Sequence, residues 1–213
     1  MFLRLTPQLC LRTRLRPYVA RPGELVLVLE AARVFPPGHP TTRMCLELLA
    51  ELVPALQPRA FVDVGTGSGV LALAAAALGA RRVIGVDPCP RAVRLTRANA
   101  RRNSLEEVIQ VIRGTASCLR GPFPLLAANL PFAVLAAEAG TLSRLAAPEA
   151  VLVLSGFRDV QEEELWARFG PGGWQLAVRR AVDDWPLVLP PEGSFTWVAW
   201  VLSRSGGPPG DSL

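Results

Sequence analysis

From residue 60 onward the chain alternates short apolar runs with segments of helical spacing, and this alternation restricts the possible folds more than any other feature. Strands are expected at 60–64, 82–87, 107–112, 124–129 and 150–155, and helices at 68–78, 90–103, 133–146 and 160–169. Runs such as Phe61-Val62-Asp63-Val64 and Leu125-Leu126-Ala127-Ala128 are almost continuously apolar, as strands covered on both faces must be. Strands separated by helices become parallel neighbours, so an α/β fold with a mostly parallel sheet and helices on both faces follows. Two further candidates, Trp174 to Val182 and Phe195 to Leu202, have no helix between them and imply an antiparallel finish.

The first strand runs into Gly65-Thr66-Gly67-Ser68-Gly69 and then into an Ala/Leu helix. Glycines at these positions let the backbone adopt positive φ and let a ligand approach without meeting a Cβ. Backbone N–H groups are therefore expected to face the turn. Alone, the pattern is weak, since glycine turns follow strands in many α/β proteins. The next strand, Arg82-Val83-Ile84-Gly85-Val86-Asp87, ends in an acid that can accept both hydroxyls of a ribose. Turn and acid together indicate a nucleoside cofactor but do not separate a dinucleotide, with its pyrophosphate at the helix N-terminus, from S-adenosylmethionine, which has no phosphate.

A third strand end narrows the choice. Leu125-Leu126-Ala127-Ala128 stops at Asn129-Leu130-Pro131-Phe132, an amide followed by proline and an aromatic. This resembles the Asn-Pro-Pro-aromatic and Asn-Ile-Leu-Ala strand ends of amine- and amide-directed class I methyltransferases. Beside it stand Pro22-Gly23-Glu24, Gly38-His39-Pro40-Thr41-Thr42-Arg43, Asp63 to Gly69, Gly85-Val86-Asp87-Pro88, Ala98-Asn99-Ala100 with Asn103, Leu154-Ser155-Gly156 with Gln161, and Asp183-Asp184-Trp185. In this order they resemble the ribosomal protein L-eleven methyltransferase (PrmA-like) family, with His-Pro-Thr-Thr the discriminating element.

The resemblance implies a Rossmann-like class I methyltransferase with a seven-stranded sheet, S-adenosyl-L-methionine as cofactor, and N-methylation of amino groups of a protein, a ribosomal protein among the candidates. It implies that Thr42, Gly65, Asp87 and Asn129 contact the cofactor or frame its methyl group. Gly67 and Gly69 are cofactor-binding candidates from the turn itself, and Asn129 is the candidate catalytic residue. Three departures stand out. The family normally has a separate N-terminal substrate-recognition domain, for which thirty-odd residues are too few; Phe35-Pro36-Pro37-Gly38 replaces a Gly-Thr-Gly segment; and Pro131-Phe132 replaces Leu-Ala. RNA bases or small-molecule amines are therefore alternative acceptors, and a non-catalytic module of the same fold is a further alternative. After the third strand, Gly114-Thr115-Ala116 stands where related enzymes often hold an acid near the adenine amino group, so backbone and van der Waals contacts are expected there.

Each candidate has a plainer reading. Asn129 can cap the helix beginning near Ala133. His39, the sole histidine, can be a base or can shape its turn. Asp63 can tie down the glycine turn's amides, and tryptophans 174, 185, 197 and 200 can pack the sheet. The arginines at 91, 94, 97, 101 and 102 can form an RNA-contacting face or a solvated one.

Composition sets the outer bounds. The chain has 213 residues, half of them hydrophobic, enough for one sizeable core. Residues 1–34 are expected to be a short β-rich appendage with strands at 2–5, 9–15 and 24–30, residues 35–204 the methyltransferase domain, and residues 205–213 a disordered tail without apolar period. The net charge of +5 comes wholly from arginine. Arg4, Arg12, Arg14, Arg16 and Arg21 could belong to an organellar presequence, but Pro7, Pro17 and Pro22 interrupt any amphipathic helix there. No apolar run reaches the roughly 18 residues of a membrane span. Four scattered cysteines form neither a metal-binding nor a disulfide pattern, so no metal and a cytoplasmic setting are expected.

Overall fold

In the computed structural model, which describes residues 2–7, 9–13, 17–30, 38–185 and 193–204, the chain begins with three short strands. These are β1 (Phe2–Arg4), β2 (Leu9–Thr13) and β3 (Leu25–Leu29), with β2 antiparallel to β1 and parallel to β3. Helix α1 (Pro40–Leu56) leads into the alternating region: β4 (Phe61–Val64), α2 (Val70–Ala77), β5 (Val83–Asp87), α3 (Pro90–Arg102), β6 (Ile109–Arg113), β7 (Phe123–Asn129), α4 (Phe132–Leu145) and β8 (Ala146–Arg158). Helix α5 (Glu162–Phe169) and the strands β9 (Trp174–Asp183) and β10 (Thr196–Arg204) complete it. The Phe35-Pro36-Pro37 segment and the 205–213 tail lie outside the described residues.

The seven later strands form one sheet in the order β6-β5-β4-β7-β8-β10-β9. β4 pairs in parallel with β5 on one side and β7 on the other, placing Asp63 opposite both Gly85 and Ala127. β10 alone runs against its neighbours, antiparallel to both β8 and β9. This is the Rossmann-like, mostly parallel architecture with an antiparallel C-terminal strand pair. Strand order reverses at β4, so a crevice opens at the carboxyl ends of β4, β5 and β7, where open α/β sheets bind ligands.

The strand pleat divides the core. Phe61, Leu125, Ala127 and Val153 face α1, α2 and α3, while Val62, Leu126, Ala128 and Leu152 face α4 and α5. Leu9, Leu11, Leu27 and Leu29 of the N-terminal sheet are buried in the first of these clusters. Asn103 clasps β3, accepting from the Val28 amide at 2.8 Å and donating to its carbonyl at 2.9 Å, and Asn99 Oδ1 accepts from the Glu30 amide at 2.8 Å. Glu24 ties the N-terminal strands together by accepting from Cys10 Sγ (2.9 Å), the Tyr18 hydroxyl (2.5 Å) and Arg4 (2.9 Å). The Arg21 amide, which donates to Oε2 at 3.0 Å, and after it Cys10 and Tyr18 hold its carboxyl down at about 2.

Two elements run through proline, and β8 differs from its expected bounds of 150–155. Pro54 does not stop α1, because a proline in the final turn removes only one N–H bond; the helix closes instead at Gln57, in the left-handed region at φ 43°, whose amide reaches the Val53 carbonyl at 2.9 Å. β8 starts at Ala146, directly after α4, because Ala146 pairs with Phe123 and the irregularity between Phe123 and Leu125 absorbs Pro148 and Glu149. Among the described residues no helix is long and apolar enough to cross a membrane.

Candidate active site

The glycine turn sits at the carboxyl end of β4 with Gly65, Gly67 and Gly69 at φ +73°, +57° and +81°. A Cβ on Gly65 would run into the Leu130 side chain, and one on Gly69 would lie 2.6 Å from Thr96 Cγ2. The glycines therefore have different roles: Gly65 admits Leu130 beside the crevice, whereas Gly69 lets α3 pack against the start of α2.

The turn's amides are engaged within the protein. Those of Gly65 and Thr66 donate to the Val86 carbonyl (2.9 and 3.1 Å), that of Gly67 to Asp87 Oδ2 (3.0 Å), and that of Gly69 to the Thr66 carbonyl (2.7 Å). Asp63 takes the Ala72 amide (3.2 Å) and the Thr66 hydroxyl (2.7 Å) on Oδ2. Asp63 thus supports the turn as expected, through a hydroxyl and a helix amide. An anion-binding loop needs unengaged N–H groups; here those of Gly65, Thr66, Gly67 and Gly69 are engaged internally and two carboxylates stand beside them. That arrangement disfavours a pyrophosphate and suits an uncharged ribose or a cationic sulfonium. Burial raises the Asp63 carboxyl to about 6 despite its two donors, with Asp87 adding to the rise.

Asp87 ends β5 and is 8% exposed. Oδ1 accepts from the Cys89 amide at 2.8 Å and Oδ2 from Gly67, so the carboxylate is held by backbone on both oxygens and retains lone pairs for hydroxyl donors. It lines a cavity of about 230 Å³ with Gly65, Gly114, Thr115, Leu130 and Glu138.

A second cavity, of about 320 Å³, opens on the other side of Gly65 and Leu130. Asn129, Pro131 and Phe132 form one wall, and His39, Arg158 and Trp197 another. Asn129 Nδ2 donates to Thr42 Oγ1 at 3.2 Å, which fixes the amide's orientation, and Oδ1 is buried without a hydrogen-bond partner. A buried carbonyl oxygen left unpaired costs on the order of 1–3 kcal/mol, a cost that an incoming N–H donor removes. Asn129 does not cap α4: Pro131 holds that position and no side chain caps the helix.

His39 caps α1. Its Nδ1 accepts from the Thr41 amide at 3.3 Å and meets Thr41 Oγ1 at 2.9 Å, while burial holds its pKa below the usual imidazole range. A neutral ring accepting at Nδ1 carries its proton on Nε2, which suits a capping residue and opposes a role as base. Its ring meets Trp197 edge-on, with centroids 5.0 Å apart.

The fold brings Thr42, Gly65, Asp87 and Asn129 to the two cavities or into contact with their walls. Gly67 reaches them only through Asp87, and Gly69 not at all. Trp197, Arg158 and Glu138 were missed by sequence reasoning. Trp174 and Trp200 are core, as sheet packing predicts, but Trp197 opposes Arg158 across β10 and β8, with the guanidinium 3.5 Å from its ring centroid. A legible signal existed: the first residues of an antiparallel final strand must lie at the carboxyl edge of the parallel ones. The arginines at 91, 94, 97 and 101 lie on an exposed face of α3. Among the described residues no group of three or more His, Cys, Asp or Glu side chains is arranged to hold a metal ion.

Crevice, acid and amide together have the form of the class I S-adenosylmethionine-dependent methyltransferases. The family model for ribosomal protein L11 methyltransferase matches residues 3–189, and the chain belongs to that family. It is 36% identical over 199 residues to the ribosomal protein L11 methyltransferase of Chloroflexus aurantiacus, covering 81% of this chain and 60% of that protein. Against the same-named protein of Sorangium cellulosum the identity is 40% over 150 residues, covering 70% and 47%. The chain thus spans about half to three-fifths of the length of these relatives. Among solved structures, the ribosomal protein L11 methylase of Lactobacillus delbrueckii subsp. bulgaricus superposes with a TM-score of 0.80 at 21% identity, covering 95% of this chain and 97% of that one.

Proposed function

We propose that this chain is an S-adenosylmethionine-dependent N-methyltransferase acting on amino groups of a ribosomal protein, in the cytoplasm. The observation that carries the proposal is Asn129, whose amide is oriented by Thr42 and whose carbonyl oxygen is buried and unpaired at the wall of the 320 Å³ cavity. The relatives' shared name supports the choice of a protein acceptor.

The residues present fit the cofactor. Asp87 would hold the ribose hydroxyls, Gly65 would admit close approach, and Thr42 with Asn129 would frame the far end; the cofactor supplies an electrophilic methyl group on a sulfonium. Transfer is an in-line displacement, so the acceptor's lone pair must be held about 3 Å from that carbon and aligned with the departing sulfur. An amine must first be neutral, which is easier for an α-amino group near ~8 than for lysine near ~10.4. Asn129 Oδ1 accepts one N–H of the neutral amine and thereby aims the lone pair. Phe132 and Trp197 shield the acceptor from water. Their aromatic faces also favour a second reading, in which the acceptor is the exocyclic amine of an RNA base.

The test is incubation with methyl-labelled S-adenosylmethionine and cell extract, followed by separation into protein, RNA and metabolite fractions. Label in ribosomal protein that survives nuclease is expected. Nuclease-sensitive label would transfer the assignment to RNA, and label confined to metabolites would exclude both.

A further inference from the structure

Two carboxylates line the 230 Å³ cavity, and only one has a partner. Asp87 is engaged by two backbone amides. Glu138, one and a half turns into α4, also lines the cavity, and its Oε2 is buried without any hydrogen-bond partner. The loop Gly114-Thr115-Ala116 lines it too, and its one side-chain polar group, the Thr115 hydroxyl, is already paired with Ser117 Oγ at 2.7 Å. An ionised carboxylate only accepts, so Oε2 requires an N–H or O–H from whatever fills the cavity. The remaining walls, including Val64, Val86, Leu130 and Val134, are apolar and suit a flat ring.

We propose that Glu138 reads the 6-amino group of the cofactor's adenine and makes the site selective against 6-oxopurines. With the ribose hydroxyls on Asp87, the base lies between the apolar walls and points its far edge toward α4. An adenine amino group donates two N–H bonds at that edge. Hypoxanthine presents a carbonyl oxygen at that position, which meets the carboxylate lone pair to lone pair, and its N1–H donor lies beside that position rather than at it. The acid that the loop after β6 lacks is thus supplied by a helix elsewhere in the chain.

This inference rests on the cofactor reading, and one calorimetric series separates the two. The purified full chain is titrated with S-adenosylhomocysteine and with its 6-oxo counterpart, S-inosylhomocysteine, as wild type, Glu138→Gln and Asp87→Ala, with folding of each variant checked by circular dichroism. The wild type should prefer the amino form by about tenfold or more, since a buried acceptor left facing another acceptor is costly. Glu138→Gln, whose amide can donate to a 6-oxo group, should narrow or reverse that preference, and Asp87→Ala should weaken both ligands alike. Equal wild-type affinities, or a preference undiminished in Glu138→Gln, would overturn the role of Glu138 while leaving the cofactor reading intact. Failure of the wild type to bind either nucleoside would overturn both.

Discussion

Gly65 and Asp63, two residues apart on one strand end, illustrate how local constraint builds the site. Gly65 is held at φ +73° with Leu130 where a Cβ would be. Gly65→Ala should therefore lower the stability by about 1–3 kcal/mol or more, read from urea unfolding, since it adds backbone strain to a steric clash. Asp63 makes a different prediction. Its carboxyl is raised from 3.8 to about 6, so the folded chain binds its proton more tightly than the unfolded chain does. Stability contributed by this group is present below pH ~4 and is lost as pH rises to ~6, by up to about 3 kcal/mol. The difference between wild type and Asp63→Asn, followed by urea unfolding from pH 4 to 7, should show that loss; a difference independent of pH would contradict it. The residues of the turn were legible because glycine, acid and amide follow one another at successive strand ends of one alternating pattern, although each alone has plainer uses. The internal engagement of the turn's amides was not, since it depends on β5 supplying the Val86 carbonyl and Asp87 across a parallel pair.

Among the elements, strand and helix placement followed directly from apolar period, and the disagreements fell where tertiary pairing overrides local preference. Pro148 and Glu149 look like a turn, yet they lie inside β8 because α4 delivers the chain onto β7. The N-terminal strands were legible as strands, but their attachment was not: Asn99 on α3 and Asn103 just past its end bond the backbone of Glu30 and Val28, about seventy residues away in sequence. Asn103→Ala removes a donor and an acceptor that together satisfy Val28. It should cost on the order of 1–3 kcal/mol and raise amide exchange across β3 before that across β4. Uniform exchange in both strands would show that the clasp contributes nothing local. Trp197 belongs to the same lesson, since its place at the cavity follows from the antiparallel sense of β10 and from no motif around it.

At the level of the whole molecule, seven strands with a reversal at β4 place three strand ends together: the glycine turn, Asp87 and Asn129. The N-terminal sheet, α1 and the main sheet share one buried cluster, so the His39–Thr42 segment is positioned by the same core that positions β4 and β7. The central claim is that this junction holds S-adenosylmethionine and that Asn129 aims the acceptor. The most direct measurement is methyl transfer by wild type and Asn129→Ala, taken beside calorimetric affinity for the cofactor. Asn129→Ala is predicted to bind S-adenosylmethionine within about tenfold of wild type and to lose about 10²–10³ in rate, as removal of one oriented polar group at a reacting centre does elsewhere. Full transfer by Asn129→Ala, or a wild-type chain that binds no S-adenosylmethionine, would contradict the account.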